Sequence, residues 1–272
     1  MLNVLIVVWR ESLEAMLVIG VLLAWIARQQ EPLPLRRGVW LGVVAGVGLA
    51  AALGFATFVV ESEFAGTSLE VFQLLMVLFA AGLIVQMVLW MRSHGRYMKR
   101  ELETQAGRAA GAWGIAAITA LAVAREGAET VVFLYGLGIE ASGGRFAMLA
   151  SAAVVGLACA GATAWLVTRG ARYLNYRTVF RVSEILLLLI AGALLANGID
   201  RAIAMDWLPP LIDPVWNTSW LLSDNHGIGR LAADFIGYRA RPSATLLIAY
   251  TFLWSFVFWR RGAIDRHQRV AA

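Results

Sequence analysis

Apolar residues along the chain occur in seven long stretches that short polar segments separate. A helix needs about 17–25 mostly apolar residues to cross a bilayer, and every stretch reaches that length. The stretches cover residues 2–27, 38–60, 71–91, 110–137, 146–168, 182–204 and 243–259. The pattern predicts an all-α fold, a polytopic membrane helix bundle with seven transmembrane helices. We expect the first stretch to be a retained helix rather than a signal peptide, because Arg10, Glu11 and Glu14 interrupt its apolar run.

The composition agrees with residence in a lipid bilayer. Of the 272 residues, 60% are hydrophobic and 15% are charged, whereas soluble domains average about 45–50% and about 25%. A chain of this length has too little volume to bury so much apolar surface in one water-facing core. Its single cysteine, Cys159, excludes a disulfide scaffold.

The loop charges predict an orientation. Of the 23 lysines and arginines, 16 follow the first, third, fifth and seventh stretches: Arg28, Arg36, Arg37, Arg92, Arg96, Lys99, Arg100, Arg108, Arg169, Arg172, Arg177, Arg181, Arg260, Arg261, Arg266 and Arg269. The opposite loops hold five, Arg145, Arg201, Arg230, Arg239 and Arg241, together with nine acids. Because positively charged loops stay in the cytoplasm, we expect a multi-pass inner (cytoplasmic) membrane protein with its N-terminus outside and its C-terminus inside. The pI of about 9.9 then reflects topology, and no nucleic-acid partner is expected.

A charged five-residue motif occurs twice. The first motif is R-E-S-L-E at residues 10–14, and the second motif is R-E-G-A-E at residues 125–129, an offset of 115 residues. The same offset carries the second and third stretches onto the fifth and sixth. Because each copy has three spans, an odd number, the second copy enters the membrane from the opposite side. We therefore expect an inverted three-helix repeat. The predicted single transmembrane domain, residues 1–272, divides into repeat one (about 1–92), repeat two (about 109–204), an outer segment (205–242) and a last helix (243–260).

The two motifs place charges where a bilayer disfavours them. Successive helix residues turn by about 100°, so the arginine and both glutamates of a motif project from one narrow face. Six such charges at mid-span cost on the order of 15–20 kcal/mol unless the two faces converge. Four carboxylates would then oppose two guanidiniums, and the excess negative charge would bind a hard cation. The alternative, purely structural ion pairing, would favour balanced charge. The carboxylates are Glu11, Glu14, Glu126 and Glu129, and their charge partners are Arg10 and Arg125.

These features resemble the oxidase-linked high-affinity iron permease family, and within it the bacterial EfeU-like members. The resemblance rests on both motifs, the span count and the orientation, and on residues 90–92, 122–127, 226–227, 235–238 and 242–243. One difference is Ser12, where the family usually has glycine.

The resemblance implies that iron is the transported cation. It also implies that the four motif glutamates are iron ligands on the translocation path, with the two arginines as charge partners. No permanently bound cofactor is expected, since the chain carries no haem, flavin or copper ligand set. Any redox step would come from periplasmic iron-handling or oxidase partner proteins. Ferric and ferrous iron are both compatible with these ligands.

Several polar residues outside the motifs are further candidates. Glu61, Glu63 and Glu70 lie in the outer loop between the second and third stretches. They form either an outer acidic funnel that concentrates cations or an ordinary solvated loop. Glu184 is expected to form an ion pair beside Arg181 at the inner membrane boundary.

Two further features predict structure rather than chemistry. His226 is expected to be a loop or helix-capping residue. Gly38, Gly42 and Gly46 are spaced so that one helix can approach another closely, and Gly156 and Gly161 lie in the corresponding fifth stretch.

Other functions remain alternatives. One is a permease for another cation, such as lead or manganese. Another is a membrane di-iron carboxylate enzyme, although such enzymes need Glu-x-x-His pairs and no histidine lies in any stretch. The third is a scaffold that transports nothing, in which the motifs would serve assembly alone.

Overall fold

The computed structural model describes residues 2–94, 98–109, 111–138, 146–168, 176–224 and 226–270. These residues form helices and contain no strand, which confirms the predicted all-α class. In chain order the helices are α1 Leu2–Ile26, α2 Pro32–Glu63, α3 Thr67–His94, α4 Met98–Arg108, α5 Gly111–Gly138, α6 Phe146–Thr168, α7 Tyr176–Ala204, α8 Gly227–Ile236 and α9 Ala244–Val270. Arg96, Arg145, Arg169 and Arg172, which contributed to the predicted orientation, lie outside the described residues.

Each of the seven apolar stretches lies on one long helix: α1, α2, α3, α5, α6, α7 or α9. The sequence pattern missed α4 and α8. The first is a mostly polar helix of eleven residues, in which Thr104 Oγ1 donates a hydrogen bond to the Arg100 carbonyl at 2.8 Å. The second begins after the exposed His226 and ends at Gly237, which has a left-handed backbone with φ of 65°.

Three helices are long and apolar enough to cross a membrane, judged by length and composition in the described part of the chain. They are α2, α3 and α7, over Pro32–Glu63, Thr67–Ser93 and Thr178–Ala204. Helices α1 and α5 have 25 and 28 residues, but each carries the three charges of one motif. These charges lie in the middle of α1 and α5, whereas α2, α3 and α7 each contain a long apolar window with few charged residues.

The chain divides into two compact units. The first unit comprises Met1–Gly66, His94–Leu134 and Ala141–Phe180, and the second comprises Thr67–Ser93, Tyr135–Glu140 and Arg181–Ala272. The first unit therefore holds α1, α2, α4, α6 and most of α5, including both charged motifs. The second holds α8, α9 and most of α3 and α7.

Helix α2 packs closely on α5 through its glycines. A Cβ atom added to Gly46 would lie 2.7 Å from the Cβ of Val123, 2.8 Å from the carbonyl oxygen of Ala120 and 3.0 Å from the amide nitrogen of Ala124. Only a glycine permits the two backbones to approach to this distance. The glycine spacing thus correctly predicted a packing role, and the contact lies within one chain.

Helix α1 packs on α6 in the same way. A Cβ atom added to Gly156 would lie 2.9 Å from the carbonyl oxygen of Leu5, 3.1 Å from the Cβ of Val8 and 3.3 Å from the amide nitrogen of Trp9. These are the same three atom types that Gly46 meets on α5, in residues 115 positions earlier, although Gly156 itself lies 110 positions after Gly46. A Cβ atom added to Gly161, the residue 115 positions after Gly46, would have only Met16 Cε near it among the described residues, at 3.9 Å. The Trp9 indole also donates a hydrogen bond to Thr163 Oγ1 on α6 at 3.1 Å.

An apolar cluster joins α1 to α5 at one end of the first unit. Leu22 and Ile26, near the end of α1, pack with Ile115 near the start of α5. Val18 of α1, Val39 of α2 and Ala106 of α4 complete the buried cluster. The short polar helix α4 is therefore anchored by one buried alanine.

In the second unit, an ion-pair network connects α3, α7 and α9. Arg92 donates hydrogen bonds to Glu184 at 3.0 Å and to both carboxylate oxygens of Asp265 at 2.9 and 3.1 Å. Arg261 lies 3.0 Å from the same Glu184 oxygen. The ion pair predicted for Glu184 is present, but its partners come from α3 and α9, whereas Arg181 was expected.

The outer segment is also tied to α7 in this unit. Arg239 Nε donates a hydrogen bond to Asp200 at 2.5 Å, and one of its terminal nitrogens donates to Asn197. Tyr238 donates its hydroxyl proton to the Leu222 carbonyl at 3.0 Å, which closes the segment on itself.

Candidate metal centre

The first motif lies in the middle of α1, and its three charged side chains are buried. Arg10, Glu11 and Glu14 expose 3%, 1% and 4% of their surface. Arg10 donates a hydrogen bond from Nη1 to Glu11 Oε1 at 3.1 Å, and its Nη2 is paired with Glu14 Oε1. One guanidinium therefore bridges both carboxylates of its own motif.

The second motif lies in the middle of α5 and is more open. Arg125 Nε donates a hydrogen bond to Glu129 Oε1 at 3.0 Å and lies 3.7 Å from Glu126 Oε1. The Arg125 side chain is 46% exposed, against 8% for Glu126 and 17% for Glu129. The two motifs share a sequence pattern, but their arginines occupy different surroundings.

Three carboxylates from the two motifs converge. Glu11, Glu126 and Glu129 each offer one oxygen, and these oxygens all lie within 4.8 Å of one another. The Oε2 atom of each is buried and has no hydrogen-bond partner among the described residues. A buried polar atom without a partner costs about 1–3 kcal/mol, and more when it is charged. We call these three residues the carboxylate cluster; a cation would satisfy its oxygens and offset their mutual repulsion.

The approach of the two motifs follows from the direction of their helices. The end of α1 packs with the start of α5 through Leu22 and Ile115, while Glu11 lies beside Glu126 and Glu129. Helices α1 and α5 therefore run antiparallel within the first unit. The structure thus brings together three of the four predicted carboxylates. The fourth, Glu14, is paired through Oε1 with Arg10, and this buried oxygen, like the Oε2 atoms of the cluster, has no hydrogen bond of regular geometry among the described residues.

The predicted outer acids lie at the ends of two helices. Glu61 is half-buried and Glu63 is exposed, both in the last turn of α2. Glu70 is exposed in the first turn of α3. The acidic funnel stays a prediction.

A contact that the sequence did not indicate involves the second motif. A Cβ atom added to Gly127 would collide with the Cβ of Ala50 on α2. Helix α2 therefore contacts the second motif at Gly127, which lies between Glu126 and Glu129 in the sequence. In the first motif the half-buried Ser12 occupies this position. The glycine in the middle of a charged motif was the available signal for this close approach.

Comparison with known proteins places these features in a family. The Iron permease FTR1 family model matches residues 1–261. The ferrous iron permease EfeU of Escherichia coli O6:H1 is 31% identical over 251 residues, which cover 88% of this chain and 87% of that protein. The ferrous iron permease EfeU of Yersinia pestis is 27% identical over 256 residues, covering 90% and 87%. No solved structure matches. Since the family match extends over nearly the whole chain, the chain belongs to the iron permease FTR1 family.

Proposed function

We propose that this permease moves ferrous iron through the buried carboxylates of its two charged motifs. The observation that carries the proposal is the carboxylate cluster, whose three buried Oε2 atoms have no hydrogen-bond partner in the described residues. Oxygen ligands of this kind suit hard and borderline metal ions. Iron is the substrate of the family to which the chain belongs.

The charge of the site favours a divalent ion. When all four motif glutamates are ionised, they carry four negative charges against the two positive charges of the arginines. The excess of two matches Fe²⁺, so loading would leave the site neutral in a medium where net charge is costly. Both relatives described above are named ferrous iron permeases.

The proposed architecture has seven spanning helices in two inverted repeats, followed by a last helix, in one transmembrane domain. Three observations support it. Seven long helices occur at the predicted stretches, and α1 and α5 run antiparallel. The atoms that Gly46 meets on α5 belong to residues 115 positions after those that Gly156 meets on α1. Inverted repeats are typical of transporters whose binding site lies between the two copies.

The proposed location is the inner membrane, with the N-terminus outside and the C-terminus in the cytoplasm. The distribution of loop arginines supports this orientation. Periplasmic iron-handling or oxidase proteins are the proposed partners, since they would set the oxidation state of the iron that reaches the permease. Reporter domains fused to each terminus test the orientation, and a C-terminal reporter active only in the periplasm would contradict it.

The transport proposal is tested by uptake of radioactive iron into sealed vesicles, with ascorbate or with an oxidant present. We expect uptake by the unmodified protein with ascorbate, and background uptake by Glu11→Gln, Glu126→Gln and Glu129→Gln. Glu101→Gln, a change at an exposed residue of α4, is the control and should leave uptake unchanged. Normal uptake by all three cluster variants would refute the proposal.

The same assay separates the alternatives. Competition with manganese or lead shows whether iron is the preferred ion, and stronger competition by either metal would favour a permease for that cation. A di-iron enzyme would instead retain iron after purification and show a redox-active optical band. A transporter binds its iron only transiently and needs neither property.

A further inference from the structure

The two motifs differ in how each arginine engages the second glutamate of its own motif. We propose that Glu14 is a positioning residue that holds Arg10, and that the iron ligands are the carboxylate cluster alone. This inference rests on the proposed function, because it assigns unequal roles within the same site. It replaces a ligand set of four equivalent glutamates with three ligands and one counter-ion.

Arg10 contacts both glutamates of its own motif. Its Nη1 donates to Oε1 of Glu11 at 3.1 Å, and its Nη2 is engaged by Oε1 of Glu14. Because Glu14 occupies the second terminal nitrogen, Arg10 binds only one oxygen of Glu11. The Oε2 atom of Glu11, in a side chain only 1% exposed, stays available to a cation.

Glu129 is the last residue of the second motif, as Glu14 is of the first motif. Arg125 contacts Glu129 through Nε at 3.0 Å, and its side chain is 46% exposed. The buried Oε2 atom of Glu129 lies in the carboxylate cluster. Both glutamates therefore pair with the arginine of their own motif, but only Glu129 also belongs to the carboxylate cluster. The arginine that Glu14 contacts is buried, whereas the arginine that Glu129 contacts is half-exposed.

Removing the Glu14 carboxylate would change both the contacts of Arg10 and the net charge of the site. In Glu14→Gln the Arg10 guanidinium loses its second carboxylate and can turn both terminal nitrogens onto Glu11, which would occupy the oxygen meant for iron. The net charge of the site also falls from two negative to one. Removing Arg10 together with Glu14 reverses both effects, since three carboxylates and one guanidinium again leave two negative charges.

The test is a comparison of iron uptake kinetics and equilibrium Fe²⁺ binding in matched variants. We expect Glu14→Gln to raise the apparent KM and the Kd by about tenfold or more, as loss of a charge-assisted contact does. Arg10→Gln/Glu14→Gln should return both constants to within about threefold of the unmodified protein. The equivalent pair in the second motif, Arg125→Gln/Glu129→Gln, should stay as defective as Glu129→Gln, because it lacks a ligand.

The outcomes are distinguishable. If the first-motif pair is no better than Glu14→Gln while the three cluster variants are inactive, Glu14 is itself a ligand and the inference is overturned. If the cluster variants transport normally, the proposed function fails instead. Should the Gln pair not reach the membrane, the apolar pair Arg10→Met/Glu14→Met is measured with the same expectation, since an apolar replacement of a buried ion pair is often tolerated.

Discussion

The packing of α2 on α5 gives a prediction that links a single methyl group to transport. In Gly46→Ala the new Cβ would lie 2.7 Å from the Cβ of Val123 and 2.8 Å from the carbonyl oxygen of Ala120, whereas ordinary contacts are 3.4–4 Å. Because protein interiors are closely packed, the overlap can be removed only if the two helices move apart, by up to about 1 Å. The matched control is Gly48→Ala, since a Cβ at Gly48 meets nothing within 4 Å.

The magnitude follows from two opposing effects. Overpacking costs about 1–3 kcal/mol, while replacing glycine by alanine in a helix contributes about 1 kcal/mol of stability. The control receives the second effect alone. The free energies of unfolding of the two variants should therefore differ by about 1–3 kcal/mol, the overpacking cost. At about 2–4 °C per kcal/mol for a chain of this size, the melting temperatures should differ by roughly 2–12 °C.

The displacement should also reach the metal centre. Val123 lies two residues before the second motif on the same rigid helix, so a shift of α5 moves Glu126 and Glu129 relative to Glu11. We expect iron uptake to fall in Gly46→Ala and to stay unchanged in Gly48→Ala. Thermal unfolding of detergent-purified protein and vesicle uptake measure the two effects. Equal melting temperatures and equal uptake in the two variants would refute the packing argument.

Two further predictions concern the ion-pair network and ligand binding. Glu184→Ala removes the carboxylate shared by two arginines and should lower the free energy of unfolding by about 1.5–3 kcal/mol. Glu103→Ala removes the partner of Arg28, which is 65% exposed, and should lower it by less than about 1 kcal/mol. An equal fall in melting temperature in the two variants would contradict this reasoning. Fe²⁺ at one hundred times its Kd should stabilise the unmodified protein by about 2.7 kcal/mol, and chelation should reverse the effect. The same addition to Glu126→Gln should leave the melting temperature unchanged, and a full shift in that variant would argue against its role as a ligand.

The positions of the long helices could be predicted from the sequence because apolar length alone determines them. The convergence of the motifs could also be predicted, since six charges at mid-span have few acceptable arrangements. Both inferences rest on large free-energy terms that depend little on detail. The short helices α4 and α8 have no such signal, because α4 is mostly polar and both have eleven residues or fewer.

The partners of individual charges could not be predicted from spacing. Glu184 was expected beside Arg181, three residues away, but the contacts with Arg92 and Arg261 depend on how three helices meet. The unequal roles of Glu14 and Glu129 were hidden for the same reason. Their motif positions are identical, and only the packing around each arginine separates them.

The most direct test of the central claim is equilibrium binding of Fe²⁺ to the purified protein under anaerobic conditions. The unmodified protein and the exposed-residue control Glu101→Gln should bind iron with the same affinity. Glu11→Gln, Glu126→Gln and Glu129→Gln should each lose that binding while they keep the helical content of the unmodified protein. Undiminished iron binding by the three cluster variants would contradict the account.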